Sequence, residues 1–393
     1  MMRGTGSWGL ILALAFSLSC GTSEHAPTDQ AFTAGQRVVL ESRILAEERE
    51  LLIFLPESYE SADSRYPVLY LLDAESEFLS TIGIVEFLSG IDRIPELIVV
   101  GIVNTNRSRD LTPESGDSEE TAFWNEVGGV DRFRQALRDE VIPYVDRIYR
   151  TEPFRIIRGG SFGGLFAIHD YMSAEPIFNA VIASSPAVGW NHAKLVNEAP
   201  EFFAAGAPRL LYVASAEEDF PGNLENILEF ARIVSASSDE EVWTHDHFET
   251  EGHYSLSLKS TYQGLEAIFA AWPVPDELAA TADFDAYRRH FEDLSGRYGY
   301  TMPIPMRSVV RIGNQMLREQ NFERGIDVFE RALEVYPDLP EAHWRVGEAY
   351  RLAGELEQAR RHFQRAYDLA AEQNAPDLAD YEETLETFEE GAR

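Results

Sequence analysis

The stretch Phe154 to Gly164, FRIIRGGSFGG, decides how this chain reads. A short apolar run rich in isoleucine meets a serine flanked by glycines. Gly159, Ser161 and Gly163 fit G-x-S-x-G, the sharp strand-to-helix turn that lifts a nucleophilic serine clear of a sheet. Glycine belongs there because a side chain in so tight a turn would collide with neighbouring backbone. FRII before the turn reads as a buried strand and LFAIHDYM after it as the start of a helix, so strand, turn and helix come in the order the motif needs. An inert Gly/Ser turn is the plain alternative, and the rest of the chain decides between the two.

Outward from that stretch, residues 36–272 alternate strand-like and helix-like segments. RVVLESRIL and RELLIFLP read as an opening hairpin, and YPVLYLLD and LIVVGIVN as buried strands with the helical SEFLSTIGIVEFLSG between them. VDRFRQALRDEVIPYVDRIY has helical spacing. FNAVIASSP, RLLYVASAEE and EVWTHDHFE are later strands, with NLENILEFARIVSA and YQGLEAIFAAW as helices. Such alternation predicts an α/β fold, a mostly parallel sheet with helices on both faces, whose functional groups gather at the carboxyl ends of the strands.

After a serine on such a turn the expected order is acid, then histidine. Glu217, Glu218 and Asp219 follow RLLYVASA. Glu218 is the expected acid, and Glu217 and Asp219 stay open because a shift of one residue decides which carboxylate points inward. His253, in Glu251-Gly252-His253-Tyr254-Ser255 after the last strand, is the expected general base, since a loop there can bring it to Ser161 Oγ while a carboxylate holds its other nitrogen. His245 and His247 compete, but they alternate inside a strand and face one side of the sheet. His169, on the helix after the turn, and His192, in a loop, read as histidines without chemistry.

YPVLYLLDAESEF, VVGIVNTNRSRDLTP, EVIPYVDRIYRTEPFRIIRGGSFGG and EGHYSLSLKSTYQGL together resemble the putative-esterase branch of the α/β hydrolases, the group containing esterase D, enterochelin esterase and the mycolyltransferases. The resemblance covers residues 38–272 and implies the α/β-hydrolase sandwich, with Ser161 as nucleophile, His253 as base and a glutamate at Glu218 as acid. Gly160 stands where family members often have histidine, which bears on pocket shape rather than on the triad. In this fold the oxyanion is held by the N–H of the residue after the nucleophile, here Phe162, and by one from the loop after the third strand, by resemblance Glu75. Asp73 reads as a cap of that loop. Asn104, Arg107, Arg109 and Asp110 leave a strand end as candidate pocket residues, the arginines pairing with Asp110 or meeting a substrate carboxylate. Trp190 would wall the acyl pocket or merely pack.

The 393 residues, 45% of them hydrophobic, suffice for two or three domains. Sixty-seven acidic against 33 basic residues give a net charge of −34, spread along the chain, which argues against nucleic acid or an anionic membrane as partner and mildly disfavours anionic siderophores as substrate. At the N-terminus, Arg3 precedes an apolar segment from Trp8 to Leu18, too short to span a bilayer and laid out like a secretory signal. Cys20 is the chain's only cysteine, so no internal disulfide forms, and its position resembles a bacterial lipoprotein cleavage site, with Ser17 where leucine usually stands. The expectation is a signal at 1–20 with a lipid on Cys20, or else ordinary export with cleavage nearby. A tether at 21–35 follows, and the protein lies in the periplasm or cell envelope or is secreted.

GNQMLREQNFERGIDVFERALEVYP and GEAYRLAGELEQARRHFQRAYDLAA align Gly313 with Gly347, Phe329 with Phe363 and Ala332 with Ala366, a period of 34 that matches the tetratricopeptide repeat. This predicts a small all-α repeat domain at 306–390, serving as a protein-binding groove, a contact for self-association or simply packed helices. Residues 273–305 read as a linker with some structure. The whole chain reads as an exported serine esterase acting on a small-molecule or carbohydrate-linked ester, without metal or other cofactor, since it has no H-E-x-x-H and no cysteine cluster. Acyl transfer to another alcohol, or a binding scaffold working through the repeats, are the alternatives.

Overall fold

The computed structural model describes residues 34–60, 64–124, 126–279 and 283–391. The apolar N-terminal segment, Cys20 and the tether up to residue 33 lie outside the described residues. Eight strands form one sheet: β1 Gln36–Ser42, β2 Glu47–Phe54, β3 Tyr66–Leu71, β4 Ile98–Ile102, β5 Thr151–Gly160, β6 Ala180–Ser184, β7 Leu210–Glu218 and β8 Trp243–Gly252. Their order across the sheet is β1-β2-β4-β3-β5-β6-β7-β8. β1 and β2 are the expected antiparallel hairpin, β2 joins β4 antiparallel, and every pairing from β4 to β8 is parallel. This is the expected α/β architecture.

Parallel strands need crossovers, and the helices supply them on both faces. They are α1 Ala74–Gly90, α2 Val130–Ala136 (continued by a π turn into Ile142–Ile148), α3 Phe162–Tyr171, α4 Trp190–Phe202, α5 Asn223–Ser235 and α6 Leu256–Ile268. Alternate residues of the central strands serve opposite cores. Ile157, Val181 and Val213 join Phe166 and Phe230 on one side, while Ile156, Ile182 and Tyr212 join Leu265 and Phe269 on the other. No helix among the described residues is long and apolar enough to cross a membrane.

The region expected to be a linker packs as part of the core. Within 273–305, α7 (Phe284–Tyr298) is capped by Asp283 and ends at Gly299, whose φ of 75° suits glycine. It buries Phe284, Tyr287, Phe291, Leu294 and Tyr298, spaced alternately three and four residues apart along one face. Tyr298 sets its ring edge against Phe154 of β5 (5.2 Å) and gives its hydroxyl proton to Ile268 O (2.9 Å), and Phe291 meets Trp272 (5.5 Å). Burying each such ring is worth about 1.5–3 kcal/mol, so the segment is a buttress. A linker reading followed from its prolines and its Ala/Asp content, which conceal the spacing of its five large apolar residues.

The repeats follow as α8 Met306–Arg318, α9 Phe322–Val335, α10 Pro340–Ala353, α11 Leu356–Gln373 and α12 Leu378–Gly391. The 34-residue register has a physical basis. A methyl group at Gly313 would lie 2.3 Å from the Phe329 ring and one at Gly347 2.8 Å from that of Phe363, so each aromatic seats on a bare helix backbone. α8 also touches the α/β part directly. Ser308 Oγ donates to Asp92 Oδ2 (2.8 Å) and Arg307 to Ser89 O (3.1 Å). From Ala34 onward the chain is one compact unit.

Candidate active site

Ser161 stands between the end of β5 and the start of α3 with φ 55° and ψ −116°, a strained conformation for a residue with a side chain. Glycines in and just after the motif permit it. A Cβ on Gly159 would fall 2.3 Å from the carbonyl carbon of Gly163, and one on Gly164 2.9 Å from Pro186. The backbone around the serine is tied down, with Ser161 N–H donating to Ser184 O (3.0 Å) and Ser161 O accepting from Leu165 N (2.9 Å) and Ala187 N (3.1 Å). Phe162 opens α3, so its N–H is among the first-turn donors that a helix leaves without an internal acceptor, at the positive end of the helix dipole.

The end of β6 links this turn to a second cluster. Ser185, next to Ser184, donates from Oγ to Asp219 Oδ2 (2.7 Å), and Asp219 Oδ1 accepts from His253 Nδ1 (2.6 Å). Phe220 N (2.7 Å) and Asn223 Nδ2 (3.1 Å) complete the donors around this carboxylate. Burial alone would raise the Asp219 pKa, but hydrogen bonds from His253, Ser185 and Phe220 N–H outweigh it and hold the acid below the ordinary carboxylate range. An ionised carboxylate only accepts, so Nδ1 carries a proton and Nε2 is the ring nitrogen that Asp219 leaves unengaged. The Asp219 side chain is 0% exposed and that of His253 8%.

The acid that meets His253 is therefore Asp219 and not Glu218. β7 runs on through Glu218, which pairs with Gly252, and a register shift between Ala216 and Glu218 leaves both Glu217 and Glu218 exposed. Asp219 is the first residue past the ladder, where the turn directs its side chain inward. Glu218 contributes only its carbonyl, which accepts from His253 N (3.0 Å). Glu217 goes to His247 Nε2 (3.1 Å), and His247 and His245 both contact Ser215 Oγ (3.0 and 2.9 Å), on one face of the sheet as their alternation requires. His169 pairs with Asp131 (3.1 Å) and His192 is exposed near Asp117 (3.5 Å).

Asp73 has φ 56° and caps α1 through its carbonyl, which accepts from Ser76 N and Glu77 N (both 3.1 Å). Its carboxylate takes a two-pronged bond from Arg107 (2.6 and 2.9 Å) and one from Asn104 Nδ2 (2.7 Å). Arg107 also donates to Gly160 O (3.1 Å) and lies over the Phe162 ring at 5.5 Å. Glu75, second in α1, has its carboxylate held by Asn104, leaving its N–H in the open first turn. Asn104 and Arg107 thus border the serine turn. Arg109 and Asp110 do not, because the short helix Arg107–Leu111 turns them toward Glu47 and the buried Arg49. Trp190 is buried, gives its Nε1 proton to Pro113 O (2.9 Å) and sets its ring edge against Phe162 (5.2 Å).

Four aromatic side chains that the sequence reading passed over surround these groups. Trp124 meets Phe162 edge-on (5.0 Å) and Phe123, 76% exposed, leans on Trp124. On the other side Phe220 lies 4.4 Å from the His253 ring, and Tyr254, 80% exposed, touches both. Adjacency of Phe220 to Asp219 and of Tyr254 to His253 was the available signal. Among the described residues no three His, Cys, Asp or Glu side chains form a metal-binding group.

The chain is similar to several known proteins. The chain is 30% identical over 198 residues to the ferri-bacillibactin esterase BesA of Bacillus subtilis, 44% of this chain and 66% of that protein. It is 27% identical over 143 residues to the siderophore enterobactin esterase of Emericella nidulans, 32% of this chain and 46% of that one. The chain thus spans 46% to 66% of the length of the curated relatives it matches. An IroE-like serine hydrolase from Shewanella oneidensis superposes with a TM-score of 0.63 at 28% identity, over 74% of this chain and 96% of that one. The tetratricopeptide repeat model matches residues 311–376. The putative esterase model matches residues 42–257, more than half of the chain, and the chain belongs to that family.

Proposed function

We propose that the chain is a serine ester hydrolase in which Ser161 is the nucleophile, His253 the general base and Asp219 the acid that orients it. The observation that carries this reading is the Asp219–His253 pair (2.6 Å), linked through Ser184 and Ser185 to a serine held at φ 55° on a helix N-terminus. Ser161 Oγ bonds to the ester carbonyl carbon as its proton passes to His253 Nε2, and the oxyanion that forms is met by Phe162 N–H and Glu75 N–H. The C–O bond to the alcohol then breaks, with the proton on Nε2 going to the leaving oxygen. Water attacks the acyl-enzyme, gives one proton to Nε2, and the proton returns to Ser161 Oγ as the acid departs.

The named relatives act on siderophore esters, and the same class is proposed for this chain. Phe123, Trp124, Phe220 and Tyr254 support it by offering ring faces at the mouth of the site. They weigh against the net charge, which by itself disfavours an anionic siderophore. Export of the protein, with or without a lipid at Cys20, and a protein contact at the repeats belong to the same reading, supported by the N-terminal segment and by the repeat match. The test is hydrolysis of enterobactin, followed by chromatography, beside a series of p-nitrophenyl esters with wild type, Ser161→Ala and Tyr254→Ala. Loss of all turnover in Ser161→Ala is expected. Tyr254→Ala should lose about tenfold in kcat/KM on enterobactin and little on p-nitrophenyl acetate. Equal losses on both substrates would remove the rim from the account of specificity.

A further inference from the structure

Arg158 is 1% exposed, three residues before Ser161, on the face of β5 that looks toward α1 and α6. Its guanidinium reaches both helices. Nε donates to Thr261 Oγ1 (3.0 Å) and Nη2 to Ser257 O (3.3 Å) and Ser257 Oγ, while Nη1 lies 3.6 Å from Glu77 Oε2. Ser257 Oγ–H closes the ring by donating to the same Glu77 carboxylate. Glu77 is in the first turn of α1, which also holds Glu75 and is capped by Asp73. Ser257 is in the first turn of α6, whose leading loop carries His253. α6 is pinned beside the serine turn as well, since Ser260 Oγ donates to Ser184 Oγ (2.8 Å) and Ser184 O accepts from Ser161 N.

Stability alone does not call for a cation here. Burial pulls the Arg158 guanidinium below its ordinary pKa, opposed by Glu77 and Asp73, and buried ionic networks are often no more stable than apolar packing of the same volume. We propose that Arg158 is a positioning residue, which keeps the loop carrying His253 in register with the first turn of α1, where Glu75 follows the cap Asp73, and so sets the base and the oxyanion donors relative to Ser161. The inference rests on the assignment of Ser161, His253 and Glu75 above. A displacement of about 1 Å between such groups is enough to cost about a hundredfold in rate.

The experiment compares Arg158→Met, Arg158→Lys, Ser257→Ala and Ser161→Ala in the full chain, reading kcat, KM, thermal midpoint and the rate of Ser161 phosphonylation by a fluorophosphonate. Arg158→Met should lower kcat and the phosphonylation rate about 10- to 100-fold with KM changed less than about twofold, and Arg158→Lys should recover part of the loss. Ser257→Ala should lose less, in the same direction. A folded Arg158→Met with unchanged kcat overturns the proposal, as does a fall in kcat that only tracks the folded fraction. If Arg158→Met does not fold, Ser257→Ala and Thr261→Val decide: lower kcat at an unchanged midpoint supports the proposal, and unchanged kcat overturns it. Activity retained in Ser161→Ala would sink the catalytic assignment itself. An inactive Ser161→Ala beside a fully active Arg158→Met sinks only the positioning role.

Discussion

Two groupings of serine, histidine and carboxylate use the upper ends of β7 and β8. In one, His253 joins Asp219, whose other oxygen accepts from Ser185 at the end of β6. In the other, Ser215 Oγ contacts His247 Nδ1 (3.0 Å), whose Nε2 meets Glu217 (3.1 Å). Their inventories match, so the difference lies in the backbone. Ser215 sits inside an extended strand, 0% exposed, with its one hydroxyl already engaged by His245 as well as His247. It has no helix N-terminus beside it and no open face for a carbonyl. Ser161 has a positive φ, a helix start and a rim of exposed rings. A serine–histidine–acid chain of hydrogen bonds is thus common chemistry, and the strained turn that presents the serine is the rarer part.

The sharpest way to break this comparison is to delete each hydroxyl. Ser161→Ala is expected to lower kcat by about 10³-fold or more, while Ser215→Ala keeps activity within about twofold, both read with a p-nitrophenyl ester. Next come the acids. Asp219→Asn, which leaves the hydrogen bond but favours the wrong imidazole tautomer, should cost about 10² to 10⁴ in kcat, whereas Glu218→Gln should stay near wild type. Comparable losses in the two would return the acid to the alternatives left open by the sequence. Ser215→Ala should instead destabilise the fold by about 1–2 kcal/mol in urea unfolding, because it strips a hydroxyl from two partly buried imidazoles.

The smallest effect is a pH dependence. His245 is held below its ordinary value of 6.5, chiefly by burial and then by the neighbouring His247. The unfolded chain therefore binds more protons at His245 than the folded one just below pH 6.5. Its neutral form supports the fold fully above that pH, and the support declines as pH falls toward the folded pKa. His245→Gln should flatten the fall in thermal midpoint between about pH 7 and about pH 5.5. A slope identical to wild type would remove His245 from the acid sensitivity.

Sequence alone reached the alternating fold, the turn at Ser161 and the place of His253, because period, glycine spacing and element order are local properties. It preferred Glu218 while keeping Asp219, the residue that meets His253, open, since a bulge between Ala216 and Glu218 carries the ladder two residues past the apolar run and leaves no mark in residue types. Arg109 and Asp110 looked like pocket residues until a single helical turn sent them to Glu47 and Arg49. The role of Arg158 was invisible for a different reason. Its partners Glu77 and Ser257 are 180 residues apart, and only the crossovers bring them together.

The buttress helix α7 bears on how the protein can be cut and how it melts. Ending the chain at residue 272 would not release a free esterase. It would strip the cover from Phe154, Phe269 and Trp272 and leave an adhesive apolar face on the sheet's flank. Since one apolar cluster runs from Ile156 and Phe269 through Tyr298 into Val309 and Phe329, catalytic and repeat parts share their cohesion. Calorimetry should then record a single endotherm, with damage to a repeat lowering the melting point of the catalytic half as well.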